Sequence, residues 1–117
     1  AYNALGYSLA ERGSQLPEAL KLIKKAVELS PEDPYIMDSL GWVHYRMGNL
    51  VEGLNYLNLA FAARPDAEIA AHLGEVLWMK GAKDDAKNIW RFALEKDPDN
   101  EVLLETLQRF IKKKIIE

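Results

Sequence analysis

The chain has 117 residues, of which 49% are hydrophobic and 28% are charged, and its formal net charge is −3 at pH 7. This composition is typical of a folded chain rather than a disordered one, and it does not favour non-specific binding of nucleic acid. The sequence contains no cysteine, which excludes thiol catalysis and cysteine-ligated metal sites. No apolar run approaches the ~20 residues that span a bilayer, so direct membrane insertion is not expected.

Periodic apolar positions predict a succession of helix pairs. A proline near the start of the second helix, Pro17, is favourable because the first turn does not need its missing N–H. Asp33, Asp66 and Asn100 stand just before later helices, where a short polar side chain caps the free N–H groups. The predicted helices are residues 1–12, 17–30, 34–47, 51–63, 67–80, 83–96 and 101–114.

The same residue types recur every 33 to 35 positions along the chain. A fixed period of this length is the signature of a repeat protein whose units stack on one another. Small residues in each unit allow two helices to approach closely, and Leu5, Leu40 and Leu73 are expected to fill the space between them. The recurring sites are Leu5-Gly6, Leu40-Gly41 and Leu73-Gly74; Gly13, Gly48 and Gly81; Ala19, Gly53 and Ala86; Ala26, Ala60 and Ala93; and Pro31, Pro65 and Pro98.

A Leu-Gly pair, a turn glycine, two small-residue positions and a closing proline at this spacing resemble the tetratricopeptide repeat, or TPR. The resemblance implies an all-α fold: a right-handed α-α superhelix of about three TPR helix pairs with a C-terminal capping helix. The whole chain, residues 1–117, is then one TPR domain with repeats at 1–33, 34–66 and 67–100 and a capping helix at 101–114. Because the sequence opens at Ala1 inside a helical pattern, we expect it to be part of a longer protein.

In a TPR array the first helices of the pairs line a concave face, and helical spacing selects the side chains that point there. Tyrosine and tryptophan are enriched at binding hot spots, each worth ~2 kcal/mol or more. Carboxylates around the aromatic rings predict an acidic rim, which favours a partner segment carrying Lys or Arg. The predicted binding residues are Tyr7, Asp38, Trp42, Tyr45, Arg46, Glu68, Glu75, Trp78 and Met79.

Two narrower functions are not supported by the residues. The carboxylate clamp, by which some TPR domains grip acidic chaperone C-termini, needs Lys, Asn and Arg side chains. Its positions here hold Asn3, Tyr7, Ser39, Glu68 and His72, so clamp binding is not expected. The sequence has no metalloprotease, phosphate-loop or calcium-loop motif. A packing role is expected for His44 and a hydrogen-bonding role for His72. No enzymatic activity and no cofactor are therefore predicted, and the basic stretch Lys112–Lys114 is interpreted as favouring the helix dipole.

The sequence thus predicts a non-enzymatic scaffold that binds a peptide or helix of a partner protein. The alternative is a structural end segment of a longer superhelix, whose aromatic residues serve intramolecular or homo-oligomeric packing. The segment 67–100, with LLETLQRF after it, also resembles the C-terminal repeats of proteobacterial outer-membrane TPR lipoproteins, some of which are protease adaptors. That resemblance implies a bacterial envelope adaptor in the periplasm, tethered to the outer membrane.

Overall fold

The structure is a computed structural model in which residues 1–112 are described, and the regular structure of these residues is helical. The predicted order of three helix pairs and a final helix is confirmed. The chain divides into an N-terminal unit, Ala1–Arg64, and a C-terminal unit that begins at Pro65. The helices are α1 (Tyr2–Arg12), α2 (Leu16–Leu29), α3 (Pro34–Arg46), α4 (Leu50–Ala63), α5 (Ala67–Met79), α6 (Lys83–Lys96) and α7 (Glu101–Leu107), and a π-helical turn (Gln108–Lys112) continues α7.

Three helices begin with the capping side chains that the sequence predicts. Each oxygen accepts a hydrogen bond from a backbone N–H in the first turn, which is worth about 1 kcal/mol per cap. The pairs are Asp33 Oδ1 with the Tyr35 N–H (2.8 Å), Asp66 Oδ1 with the Ile69 N–H (2.9 Å), and Asn100 Oδ1 with the Leu103 N–H (3.0 Å). Local sequence therefore determines where α3, α5 and α7 begin.

The N-terminal unit is a hairpin, α1–α2, packed against α3, which pairs in turn with α4. Gly41 lets α4 approach α3 closely, because a Cβ built on it would lie 2.8 Å from Leu57 Cγ and 2.9 Å from the Gly53 carbonyl oxygen. The core of this unit joins residues from all of the first three helices: Leu9, Ala10, Ala19, Ile23, Leu40, Trp42 and Val43.

One predicted core residue of this unit lies outside the core. Leu5 is 53% exposed, whereas Leu40 and Leu73, which occupy its place in the other repeats, are 6% and 2% exposed. The helices α2 and α3 pack on other sides of α1 and leave Leu5 uncovered. Repeat position alone therefore does not determine burial.

The C-terminal unit is built around the indole of Trp90, which is 1% exposed. Its Nε1–H donates to the Ala71 carbonyl oxygen at 3.3 Å, and its ring lies 5.7 Å from the ring of Trp78 and 5.8 Å from that of Phe110. Thus α6 and the π-helical turn meet α5 through aromatic rings. The predicted capping helix is described as far as Lys112, and the rest of its range, with most of the basic stretch, lies outside the described residues.

His44 occupies the packing position that the sequence predicts for it. Its ring stacks on Tyr56 with the centroids 5.5 Å apart, and its Nδ1 lies 3.3 Å from Asn49 Nδ2. Burial lowers the pKa of His44 below its ordinary value of 6.5; nearby Glu52 opposes this shift and Lys24 adds to it. The neutral imidazole is therefore favoured in the folded chain.

We expect His44 to make folding stability depend on pH. Because its pKa is lowered in the folded state, its contribution is fully present above pH 6.5 and is lost as the pH falls toward the folded pKa, where the unfolded chain binds more protons. NMR titration of the His44 ring protons should give a midpoint below 6.5, and His44→Gln should flatten the unfolding free energy over this range. A midpoint at or above 6.5 would contradict the expectation.

Candidate functional site

In the N-terminal unit, the predicted binding residues lie on α1 and α3, which pack side by side. Tyr7 and Tyr45 are partly exposed, and both pack against the core cluster of this unit. Arg46 is exposed. Trp42 and Asp38 are not available at the surface, because their exposed fractions are only 3% and 2%.

The expectation that Trp42 lies on an open face is wrong. Its indole Nε1–H donates to Glu11 Oε1 at 3.1 Å, and its ring lies 5.0 Å from that of Tyr45. The side chain crosses from α3 to the end of α1 and joins the core between them. The buried Trp42 ring therefore packs against Tyr45 and is not accessible to a partner.

Arg46 also links α3 to the end of α1. Its Nε–H donates to the Ala10 carbonyl oxygen at 3.1 Å, and its Nη2 donates to the Glu11 carbonyl oxygen at 3.4 Å. These carbonyls belong to the last turn of α1, where the Ala10 carbonyl oxygen also accepts from the Gly13 N–H at 3.0 Å. The sequence does not predict these contacts of Arg46, because they join residues 35 and 36 positions apart.

In the C-terminal unit, the predicted acidic rim is wrong for Glu75, as it is for Asp38 in the N-terminal unit. Glu75 is 4% exposed, and its Oε1 accepts from Arg109 Nη2 at 2.8 Å. The same guanidinium reaches Glu105 Oε2 at 2.5 Å. Burial alone would lower the pKa of Arg109, but its hydrogen bonds to the two carboxylates outweigh burial and raise it. A buried carboxylate needs such a partner, and Glu75 accordingly holds the last helix against α5.

Trp78 is likewise covered, at 9% exposure. It packs between Trp90 and Phe110, with ring centroids at 5.7 and 5.9 Å, and the Lys83 Nζ lies 5.1 Å from the centre of its ring. The expectation that this ring faces a partner is therefore wrong. Glu68 is partly exposed and Met79 is 54% exposed, so these two remain accessible on α5.

The accessible members of the predicted set are thus Tyr7, Tyr45, Arg46, Glu68 and Met79. Among residues 1–112, no group of three or more His, Asp or Glu side chains is placed to hold a metal ion. Within the same residues, no helix combines the length and apolarity that crossing a bilayer requires. These side chains offer aromatic and apolar contacts on α1, α3 and α5, which are the first helices of the three pairs.

The repeating helix pairs, their spacing and the solved structures that share the arrangement show that this chain has the tetratricopeptide repeat fold. The first TPR domain of Spaghetti (RPAP3), bound to the HSP90 peptide SRMEEVD, matches 99% of this chain and 94% of its own with a TM-score of 0.77 at 18% identity. The Sgt2 TPR domain from Aspergillus fumigatus gives 0.78 at 18% identity, covering 99% of this chain and 78% of that one. The predicted all-α TPR fold class is confirmed.

Among curated proteins, the chain is similar to the TPR repeat-containing protein PA4667 of Pseudomonas aeruginosa. The two are 53% identical over 75 residues, which is 64% of this chain and 13% of that protein. The chain therefore spans about an eighth of the length of the relative it matches. No family model matches the sequence.

Proposed function

We propose that this chain is a protein-interaction scaffold that binds a peptide or helix of a partner protein along its first helices. The observation that carries the proposal is the support beneath Tyr7 and Tyr45. Both rings are partly exposed on neighbouring helices, and the side chains of Trp42 and Arg46 fasten those helices together. A surface that is already rigid loses little entropy on binding, so more of the contact energy appears as affinity.

Within the C-terminal unit, Met79 and Glu68 on α5 offer a separate accessible surface for a partner. An exposed methionine is adaptable in shape and suits contact with an apolar side chain. Asp38 and Glu75 are buried, so Glu68 is the one accessible carboxylate of the predicted binding residues. The proposed ligand is therefore an apolar or aromatic segment without a strong charge requirement.

An acidic C-terminal peptide of the SRMEEVD kind does not fit this surface. Ser39 and His72, which occupy two of the clamp positions, are 3% and 2% exposed, and Ser39 Oγ donates to the Tyr35 carbonyl oxygen at 3.1 Å. Glu68, at a third position, would repel a carboxylate. Binding of the HSP90 peptide is therefore a property of the Spaghetti TPR domain. That peptide is not the ligand proposed for this chain.

The compartment and host are part of the same proposal. The resemblance of residues 67–100 to repeats of outer-membrane lipoproteins, together with the Pseudomonas relative, supports a bacterial envelope adaptor in the periplasm. Tethering would then come from another part of the full-length protein. An envelope extract is accordingly the source in which a partner should be sought.

A second candidate function, packing against another helix pair, is favoured by the exposure of α1. Leu5 is 53% exposed and Tyr2, three residues earlier, is 42% exposed. Residues at the Leu5 position are covered in the other repeats. A further repeat or a second copy of the chain would therefore bury this face, as the alternative from the sequence requires.

One capture experiment distinguishes the two candidates. Immobilised chain is incubated with bacterial envelope extract, and Tyr7→Ser/Tyr45→Ser, Leu5→Ser and Leu59→Ser are compared; Leu59, 59% exposed on α4, is the matched control. If the proposal is right, only the tyrosine variant fails to capture the partner protein. Each hot-spot residue is worth ~2 kcal/mol, or about 30-fold in affinity. Loss confined to Leu5→Ser, with a concentration-dependent change in mass of the original chain, would favour the packing candidate instead.

A further inference from the structure

A groove in the C-terminal unit lies between α6 and the segment formed by α7 and the π-helical turn. Its volume is about 170 Å³, and it is lined by Lys87, Trp90, Arg91, Leu94, Leu107 and Ile111. Drug-sized ligand pockets are usually ~300 Å³ or larger. The groove is therefore of a size to take one large side chain of a peptide rather than a whole small molecule.

The chemistry of the lining has two parts. Trp90, Leu94, Leu107 and Ile111 supply apolar surface, whereas Lys87 and Arg91 supply two positive charges, and none of the described residues that line the groove is acidic. Both cations are exposed on α6. The occupant should therefore combine an apolar side chain with neighbouring carboxylates.

The floor of the groove is held in place by the structure around it. Trp90 is fixed by its hydrogen bond to the Ala71 carbonyl oxygen and by the rings of Trp78 and Phe110. Arg91 Nη1 donates to Asn88 Oδ1 at 3.2 Å, which orients the guanidinium on the surface.

We propose that this groove binds a short acidic segment of a partner protein, inserting one large apolar side chain between α6 and the last helix while carboxylates meet Lys87 and Arg91. Charge complementarity at such a rim increases the association rate and orients the segment. This groove uses none of the residues on α1, α3 or α5 that are proposed above to bind a partner. The two proposals can therefore be tested independently of each other.

The test uses synthetic peptides on the whole isotope-labelled chain. The probe is acetyl-EELFEE-amide; acetyl-EEAAEE-amide removes the apolar side chains and acetyl-KKLFKK-amide reverses the charge. We expect that, of the three peptides, only EELFEE shifts the NMR signals of the Trp90 indole N–H and of the Leu94, Leu107 and Ile111 methyl groups. These shifts should saturate as the peptide concentration is raised.

The second part of the test reverses the charge of the two basic residues of the groove. Lys87→Glu/Arg91→Glu, both on the surface, should weaken binding of EELFEE by about fivefold at low salt, since each exposed pair contributes modestly. Lys21→Glu/Lys25→Glu on α2 makes the same change in net charge and should leave binding unaltered. Equal shifts with the basic peptide, shifts mapping to other residues, or the same shifts on raising chain concentration without peptide would each overturn the proposal, the last by indicating a second copy in the groove.

Discussion

Replacing Trp42 by alanine is expected to lower the free energy of unfolding by about 3–5 kcal/mol, the range for truncating a buried tryptophan. The ring is 3% exposed, lies in the core cluster of the N-terminal unit and donates to Glu11. Removing it leaves a cavity between α1 and α3 and an unpaired carboxylate above it. The measurement is urea unfolding followed by circular dichroism.

Trp42→Phe is the matched control for this result. It retains an aromatic ring but loses the indole donor to Glu11, so a smaller loss of about 1 kcal/mol plus a modest packing term is expected. If Trp42→Ala unfolds at the same urea concentration as the original chain, the ring is not part of the core. The interpretation of Trp42 as an exposed binding residue would then be restored.

Replacing Gly74 by alanine is expected to cost about 3 kcal/mol, at the upper end of overpacking effects. A Cβ built on Gly74 would overlap the indole nitrogen of Trp90 and lie 2.6 Å from its Cδ1. The ring cannot withdraw easily, because Trp78, Phe110 and the Ala71 carbonyl oxygen hold it. The better helix propensity of alanine, about 1 kcal/mol, offsets only part of this cost.

Gly53→Ala provides the comparison within the same chain. A Cβ there would lie 3.0 Å from the Gly41 carbonyl oxygen, and the equivalent positions in the other repeats already carry Ala19 and Ala86. A small adjustment of α3 and α4 accommodates it, so its net effect should stay within about 1 kcal/mol. Thermal unfolding of both variants, followed by circular dichroism, measures the difference. A Gly74→Ala chain as stable as the original would show that the indole can move.

The helices, their capping residues and the repeat were predictable because they depend on neighbours along the chain. Asp33 caps α3 through a residue two positions away, and the Leu-Gly pairs recur at a period that sequence alone displays. The predicted face of α3 was less reliable. Trp42 and Asp38 have the helical spacing of an open stripe, yet both are buried, and Trp42 bonds to Glu11 of α1.

Sequence by itself determined that this chain is a series of TPR helix pairs, since helix propensity, caps and turn glycines act over a few residues. The tertiary structure alone decided which aromatic rings are accessible: Tyr7 and Tyr45 remain at the surface, whereas Trp42 and Trp78 are covered. The contacts responsible, Trp42 with Glu11, Arg46 with Ala10 and Glu75 with Arg109, join residues 31 to 36 positions apart. Their formation depends on how whole helices pack, and no local pattern of residue types encodes that geometry.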